Sequence, residues 1–330
     1  MYIANPERYS KMPYRRLGRS GLKLPAFSFG LWLNFGGVND YEKGKEMILH
    51  AFDNGITHFD LANNYGPPPG SAEEFFGRVL KEALMPYRDE IIISTKAGYY
   101  MWPGPYGDFG SRKYLMASID QSLERLGIPY VDIFYHHRYD SETDLYETML
   151  ALRDIVLQGK ALYIGLSNYN SEQLIEAHKI LKELNVPFVI TQPSYSMLNR
   201  WIEDDNLPQN MYNLGGGVIV YSALAQGRLS NKYIGEIPED SRAKKDYIVF
   251  LKERDITDEL RQKLIKLDEI AKKRGQTISQ MALSWALRDE LITSVLISTS
   301  KISQLHENLA ALDHLKFTKE EIEAIEKALK

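Results

Sequence analysis

The sequence predicts an α/β chain folded as a (β/α)8 or TIM barrel, one domain over residues 1–330, with a β-hairpin ahead of it and two extra helices. It does so on three grounds. Short apolar strands alternate with helical segments eight times, and those strands are too uniformly apolar to face water, which implies a parallel sheet covered on both faces. Polar residues of several kinds stand where strands end, the position at which parallel α/β folds place their chemistry. With 330 residues, 44% of them hydrophobic, the chain has material for a barrel of about 250 residues plus insertions.

Taken in order, Tyr14–Leu17, the turn Gly18-Arg19-Ser20-Gly21 and Leu22–Pro25 read as the hairpin. Ala26–Phe29 is the first barrel strand, and a helix capped by Asp40 runs to Asn54 before Gly55 stops it. Thr57–Asp60 is the second strand; Ser71-Ala72-Glu73-Glu74 has the form of a capping box and opens the next helix. Ile91–Thr95 follows, then the long loop 97–110 and a helix over about Arg112–Leu126. Val131–Tyr135, a helix over Asp144–Gln158, Ala161–Leu166, a helix capped by Ser171 and Phe188–Thr191 continue the alternation. A helix over Glu203–Leu214, the strand Gly217–Tyr221 and the strand Ser294–Ile297 complete it. The stretch 222–256 is much longer than an ordinary βα loop and reads as functional. The helices Asp258–Arg274 and Thr318–Leu329 are surplus to the barrel and are the candidate contact surfaces of an oligomer.

Bulk properties exclude several functions. Forty basic against forty-four acidic residues, a net charge of −4, argue against nucleic acid or an anionic membrane as partner. The absence of cysteine removes disulfides, thiolate metal sites and a cysteine nucleophile together. No apolar run approaches about 18 residues, and the polar N-terminal stretch lacks a signal-peptide core, so a cytoplasmic protein is expected. His50, His58, His178, His306 and His314 show no metal-ligand spacing with a third partner, so no metal site is expected.

The strongest chemical signal lies at successive strand ends. Asp60 closes one strand, with Tyr65 on a loop stiffened by Pro67, Pro68 and Pro69; Lys96 closes the next; His136 and His137 close the third. Asp60 and Lys96 could equally form a structural ion pair. Strand alternation turns one of the two histidines inward and the other outward. A fingerprint Gly-x-Gly-x-x-Gly is absent, which excludes a Rossmann dinucleotide site.

These residues, together with the runs His58–Glu74, Met101–Gly107 and Gln192–Tyr195, resemble the aldo-keto reductase family from Tyr14 onward. The likeness is to its bacterial reductases of L-glyceraldehyde 3-phosphate and, more distantly, to the β-subunits of voltage-gated potassium channels. The resemblance implies a catalytic tetrad of Asp60, Tyr65, Lys96 and His137, and so selects His137 over His136. Tyr65 would donate the proton, Lys96 would lower its pKa, Asp60 would keep Lys96 charged, and His137 would orient the carbonyl oxygen. It also implies NADPH as cofactor. Ser167, Asn168 and Gln192 would hold the carboxamide, Tyr221 would stack on the ring, and Ser222, Leu224, Gln226, Gly227 and Lys232 would follow the pyrophosphate. Arg242, Ser300, Lys301, Gln304, Glu307 and Asn308 would hold the adenosine. Free N–H groups at the start of the helix after the eighth strand, with the charges of Arg242 and Lys301, favour a 2′-phosphate. Lys301 alone could be a solvated lysine.

Trp32, which also touches the cofactor, would line the substrate pocket with Tyr65, Trp102 and His137, although such aromatics could equally be core packing. Arg138 is the candidate cation for a substrate phosphate. The implied substrates are small aldehydes, L-glyceraldehyde 3-phosphate or methylglyoxal, in a homo-oligomer of four or eight chains. The alternative is a nucleotide-sensing regulatory subunit, set apart by His137, where potassium-channel β-subunits tend to carry Asn. Ser298 and Thr299 stand where relatives usually have Gly-Ala, and Ala223 replaces a usual proline; both departures are expected to adjust cofactor affinity without removing a hydrogen-bonding group.

Overall fold

Eight parallel strands close on themselves in the computed structural model, which describes residues 2–239, 241–244 and 250–330, with Arg242 described by its backbone only. A two-stranded antiparallel hairpin, β1 (Tyr14–Arg16) and β2 (Lys23–Pro25), precedes the barrel. The barrel strands are β3 (Phe27–Gly30), β4 (His58–Asp60), β5 (Ile92–Ala97), β6 (Val131–His136), β7 (Ala161–Ser167), β8 (Phe188–Gln192), β9 (Gly217–Val220) and β10 (Ile292–Ile297). Each pairs with the next, and β10 closes on β3 with Val295 opposite Phe27. Parallel neighbours require a crossover, and helices supply it. These are α1 (Tyr41–Asp53), α2 (Ser71–Val79), α3 (Arg112–Leu126), α4 (Leu145–Leu157), α5 (Ser171–Glu183), and α6 (Trp201–Asp204) with α7 (Leu207–Leu214). After β9 come α8 (Asp258–Lys273) and α9 (Ile278–Ala286), and after β10 α10 (Ile302–Leu309) and α11 (Lys319–Leu329).

The hairpin plugs one end of the barrel, as its apolar residues require. Leu17 and Leu24, both fully buried, form a separate core with Ile133, Tyr135, Ile190 and Ile219 from the strand interiors. Gly18 makes the approach possible: its φ is +55°, and a Cβ there would lie 2.2 Å from the Gly215 carbonyl oxygen. Apolar side chains therefore fill the bottom, and the polar residues are left to the C-terminal end.

Several local expectations are corrected. Ser71 does not cap α2: Gly70, at φ +91°, is the cap residue, and the Ser71 hydroxyl is spent donating to the Pro68 carbonyl at 2.6 Å. Asn170, not Ser171, caps α5 through a reciprocal pair with Gln173, while Ser171 donates to Asp205. The expected helix over 203–214 is broken in two, because Asn206 adopts φ +53° and Pro208 follows in the first turn of α7, where it cannot donate to a preceding turn. The helix α9 was not expected; it is the barrel's buried helix before β10, and α8 packs outside it against α11. Arg274, at the end of α8, ties the two outer segments by donating to Glu321 and to the His314 and Lys316 carbonyls. No helix among the described residues is long and apolar enough to cross a membrane.

Candidate active site

Alternation along three strands builds the site. Residues two apart share a face, so His58 and Asp60 on β4, Ser94 and Lys96 on β5, and Tyr135 with His137 just past β6 all point into the barrel. Lys96 is completely buried and donates to Asp60 Oδ2 at 2.5 Å and to the Leu61 carbonyl at 2.7 Å. Asp60 Oδ1 accepts from Ser94 Oγ at 2.7 Å and from Gln192 Nε2 at 3.1 Å. Burial pulls the Lys96 ammonium below the ordinary lysine value, and the Asp60 charge opposes that pull. His136 points outward, with Nδ1 2.6 Å from the Tyr169 hydroxyl.

Tyr65 lies over this pair, its ring centroid 5.1 Å from Lys96 Nζ, 6.0 Å from the His137 ring and 6.4 Å from Trp32. Its acidity departs from expectation. Burial, and then the Asp60 charge, push the phenol well above its usual value; the ammonium expected to acidify it is itself paired with that carboxylate. The phenol therefore keeps its proton through the neutral range. Burial, followed by the positive charge of Lys96, pushes His137 well below the usual histidine value, so the ring is neutral. Its Nδ1 is buried with no hydrogen-bond partner among the described residues. A protonated phenol and a neutral imidazole on one wall, backed by a buried ion pair, can hold and protonate an oxygen that gains negative charge.

The residues expected around a nicotinamide are brought together beside it. Ser167 Oγ donates to the Gln192 carbonyl at 2.7 Å, Asn168 Nδ2 to the His137 carbonyl at 3.0 Å, and the Tyr221 hydroxyl to Asn168 Oδ1 at 2.8 Å. Beyond β9, Ser222, Ala225 and Gln226 all adopt positive φ, and Gln226 Nε2 donates to Ser222 Oγ at 3.0 Å. A Cβ on Gly227, itself at φ +91°, would sit 3.7 Å from Lys232 Nζ, so the glycine leaves a cradle beside an ammonium. That cradle fits a pyrophosphate. At the far end, Ser300 N and Oγ both donate to Gln304 Oε1, Lys301 precedes α10, and Asn308 is buried in it. Glu307 accepts from Thr277 Oγ1 at 2.9 Å. The Arg242 side chain lies outside the described residues. Of the departures noted above, Ser298 Oγ accepts from Asn34 Nδ2 at 3.3 Å and Thr299 Oγ1 lies 3.1 Å from Met47 Sδ.

Around the residues expected to line a substrate pocket, further aromatic contacts appear. Trp102 packs on Tyr114, ring centroids 5.0 Å apart, whereas Tyr99, absent from that set, stands edge-on to His137 at 4.6 Å. Phe250 from the long loop covers Trp32 at 4.8 Å. Arg138 donates to the Gly98 carbonyl at 2.7 Å and to Asp108 Oδ1 at 2.6 Å, between the rings of Tyr99 and Phe109. Among the described residues no three His, Cys, Asp or Glu side chains are placed to hold a metal ion.

Two of the buried histidines have a consequence for stability. Burial pushes both His58 and His136 down to about 4. Unfolding restores a value near 6.5, so the unfolded chain takes up the protons first. Stability should be intact above about pH 6.5 and fall towards pH 4, by about 3 kcal/mol per histidine. Urea midpoints measured across that window should show the fall, and His136→Gln should reduce it by about 3 kcal/mol.

Comparison with known proteins agrees with this geometry. Residues 26–330 match the model of the aldo/keto reductase family. The L-glyceraldehyde 3-phosphate reductases of Escherichia coli O157:H7 and of Escherichia coli K12 are each 53% identical over 328 residues, 99% of this chain and 95% of the relative.

Proposed function

Since the chain belongs to the aldo/keto reductase family, oxidoreductases that use nicotinamide cofactors, we propose that it reduces small aldehydes with NADPH, L-glyceraldehyde 3-phosphate foremost and methylglyoxal as a second substrate. The observation that carries this reading is the convergence of Asp60, Lys96, Tyr65 and His137 at the barrel mouth. The nicotinamide supplies the hydride when bound. Ser167, Asn168 and Gln192 would hold its carboxamide, Tyr221 its ring, and Gly227 with Lys232 its pyrophosphate. Lys301, ahead of α10, adds charge where a 2′-phosphate would lie, which is the reason for preferring NADPH.

The chain's own groups then have distinct tasks. Neutral His137 donates an N–H to the carbonyl oxygen and fixes its orientation. Tyr65 gives its proton to that oxygen as negative charge develops, and the Lys96 ammonium stabilises the phenolate that remains. Lys96 has three N–H donors; Asp60 and Leu61 take two, and the third would serve the phenolate. Asp60 holds the ammonium charged and in place.

Initial rates of NADPH and NADH oxidation with phosphorylated and unphosphorylated aldehydes test the reading. NADPH bound without turnover of any aldehyde would instead favour a nucleotide-sensing subunit resembling the potassium-channel β-subunits. Arg138 keeps N–H donors beyond those given to Asp108 and Gly98, and its side chain reaches solvent. Arg138→Met should raise KM for L-glyceraldehyde 3-phosphate about tenfold or more, the scale of a hydrogen bond to a charged group. The KM for methylglyoxal should not change. Equal effects on both substrates would remove Arg138 from the phosphate site.

A further inference from the structure

Beneath the ion pair runs a file of polar side chains for which the mechanism above has no use. Ser294, Ser28, His58 and Ser94 are each fully buried, and Asp60 at their end is 1% exposed. Ser294 Oγ lies 2.7 Å from Ser28 Oγ, Ser28 Oγ 2.9 Å from His58 Nδ1, and His58 Nε2 2.9 Å from Ser94 Oγ. Ser94 Oγ donates to Asp60 Oδ1 at 2.7 Å. Four neighbouring strands contribute, β10, β3, β4 and β5, so the file runs along one side of the barrel, with Ser294 and Ser94 in register with Ile219 and Ile133 of the plug core.

The carboxylate at one end fixes every proton in the file. An ionised carboxylate only accepts, so the single Ser94 hydroxyl proton is committed to Asp60. Ser94 must then accept from His58, which places a proton on Nε2. A neutral ring so protonated presents a lone pair at Nδ1, and Ser28 must donate to it. With its own proton used, Ser28 accepts from Ser294, whose other acceptor, the Ala26 carbonyl, is 3.4 Å away. The reverse tautomer would set two lone pairs against each other between His58 and Ser94. A doubly protonated ring is opposed by complete burial and by the Lys96 charge.

We propose that His58 is a positioning residue of the reductase site: as the neutral Nε2–H tautomer, locked by Ser28 and Ser294, it drives the Ser94 hydroxyl onto Asp60. Every dipole in the file points its positive end at the carboxylate, and aligned hydrogen bonds strengthen one another. Asp60 is thereby held facing Lys96, whose charge Tyr65 needs once its proton has left. The titratable and charged groups facing the file are Asp60, Lys96 and the phenols of Tyr65 and Tyr135. This inference rests on the reductase reading for its effect on rate, but not for the tautomer itself.

The test separates the two. Nitrogen-15 NMR of the full chain with labelled histidine should show His58 protonated at Nε2 alone, without titration between about pH 5.5 and 8. A proton on Nδ1, or titration in that window, would overturn the proposal whatever the enzyme does. In rate measurements, Ser94→Ala should lower kcat for aldehyde reduction about tenfold, the scale of one hydrogen bond to a charged group. NADPH affinity should not change. The acid limb of the kcat profile should move to higher pH, because a carboxylate that has lost a donor takes up a proton more readily. His58→Leu should move the same limb, and Ser94→Thr, which retains the hydroxyl, should restore it. A merely structural role would lower activity without moving the limb, and that result would also overturn the proposal. Absence of turnover in the unaltered chain would count against the reductase reading alone.

Discussion

Tyr65→Phe should lower kcat for aldehyde reduction by roughly 10²–10⁴-fold, the range spanned by a positioned general acid, while NADPH binds as before. The substitution removes one oxygen and keeps the ring, so the packing near Trp32 and His137 survives. Stability should therefore be nearly unchanged, and the loss can be read as lost proton transfer. Because burial holds the phenol's proton well past neutrality, the unaltered enzyme should show no loss of donor on its alkaline side until well above pH 8 or so. Nucleotide fluorescence titration and single-turnover absorbance measure the two quantities separately. Turnover near the normal rate in the phenylalanine variant would leave the proton to come from His137 or from water, and the tyrosine would then be a wall of the pocket only.

Three of the four proposed catalytic residues were legible because they stand where an apolar strand stops, at Asp60, at Lys96 and after Tyr135, whereas Tyr65, on the loop after β4, was picked out by the family spacing alone. Alternation and family spacing together separated His137 from His136, and the Tyr169 bond accounts for the outward ring. The same two-residue step, taken inward from Asp60 and Lys96, leads to His58 and Ser94. The helix α9 was hidden for another reason. All its residues but Gln280 are buried, so it has little of the polar face that gives an amphipathic period, and only the Thr277–Gln280 capping box marks its start. The acidity of Tyr65 was not legible at all. A sequence places charges near one another, but the balance between a lysine's field and burial depends on the depth of the site and on where the lysine's own counter-ion lies. The Arg138–Asp108 pair is similarly a property of two loops meeting, invisible in a spacing of thirty residues.

Lys96→Met should cost both the reaction and much of the stability, and the two losses can be pulled apart. Removing the ammonium leaves Asp60 as a carboxylate inside the barrel with only Ser94 and Gln192 as donors, and strips the Leu61 carbonyl of its partner. Breaking one side of a buried ion pair in this way costs about 3–5 kcal/mol, readable as a lower urea midpoint. Removing the second charge as well, in Asp60→Asn with Lys96→Met, takes away the uncompensated anion while keeping side chains of similar volume. Stability should then recover by about 2 kcal/mol or more. Aldehyde reduction should stay as low as in the single variant, since nothing is left to stabilise the phenolate of Tyr65. If the double variant regains turnover along with stability, the lysine supports the barrel and not the chemistry. If stability returns without turnover, the buried charge is present for the proton transfer.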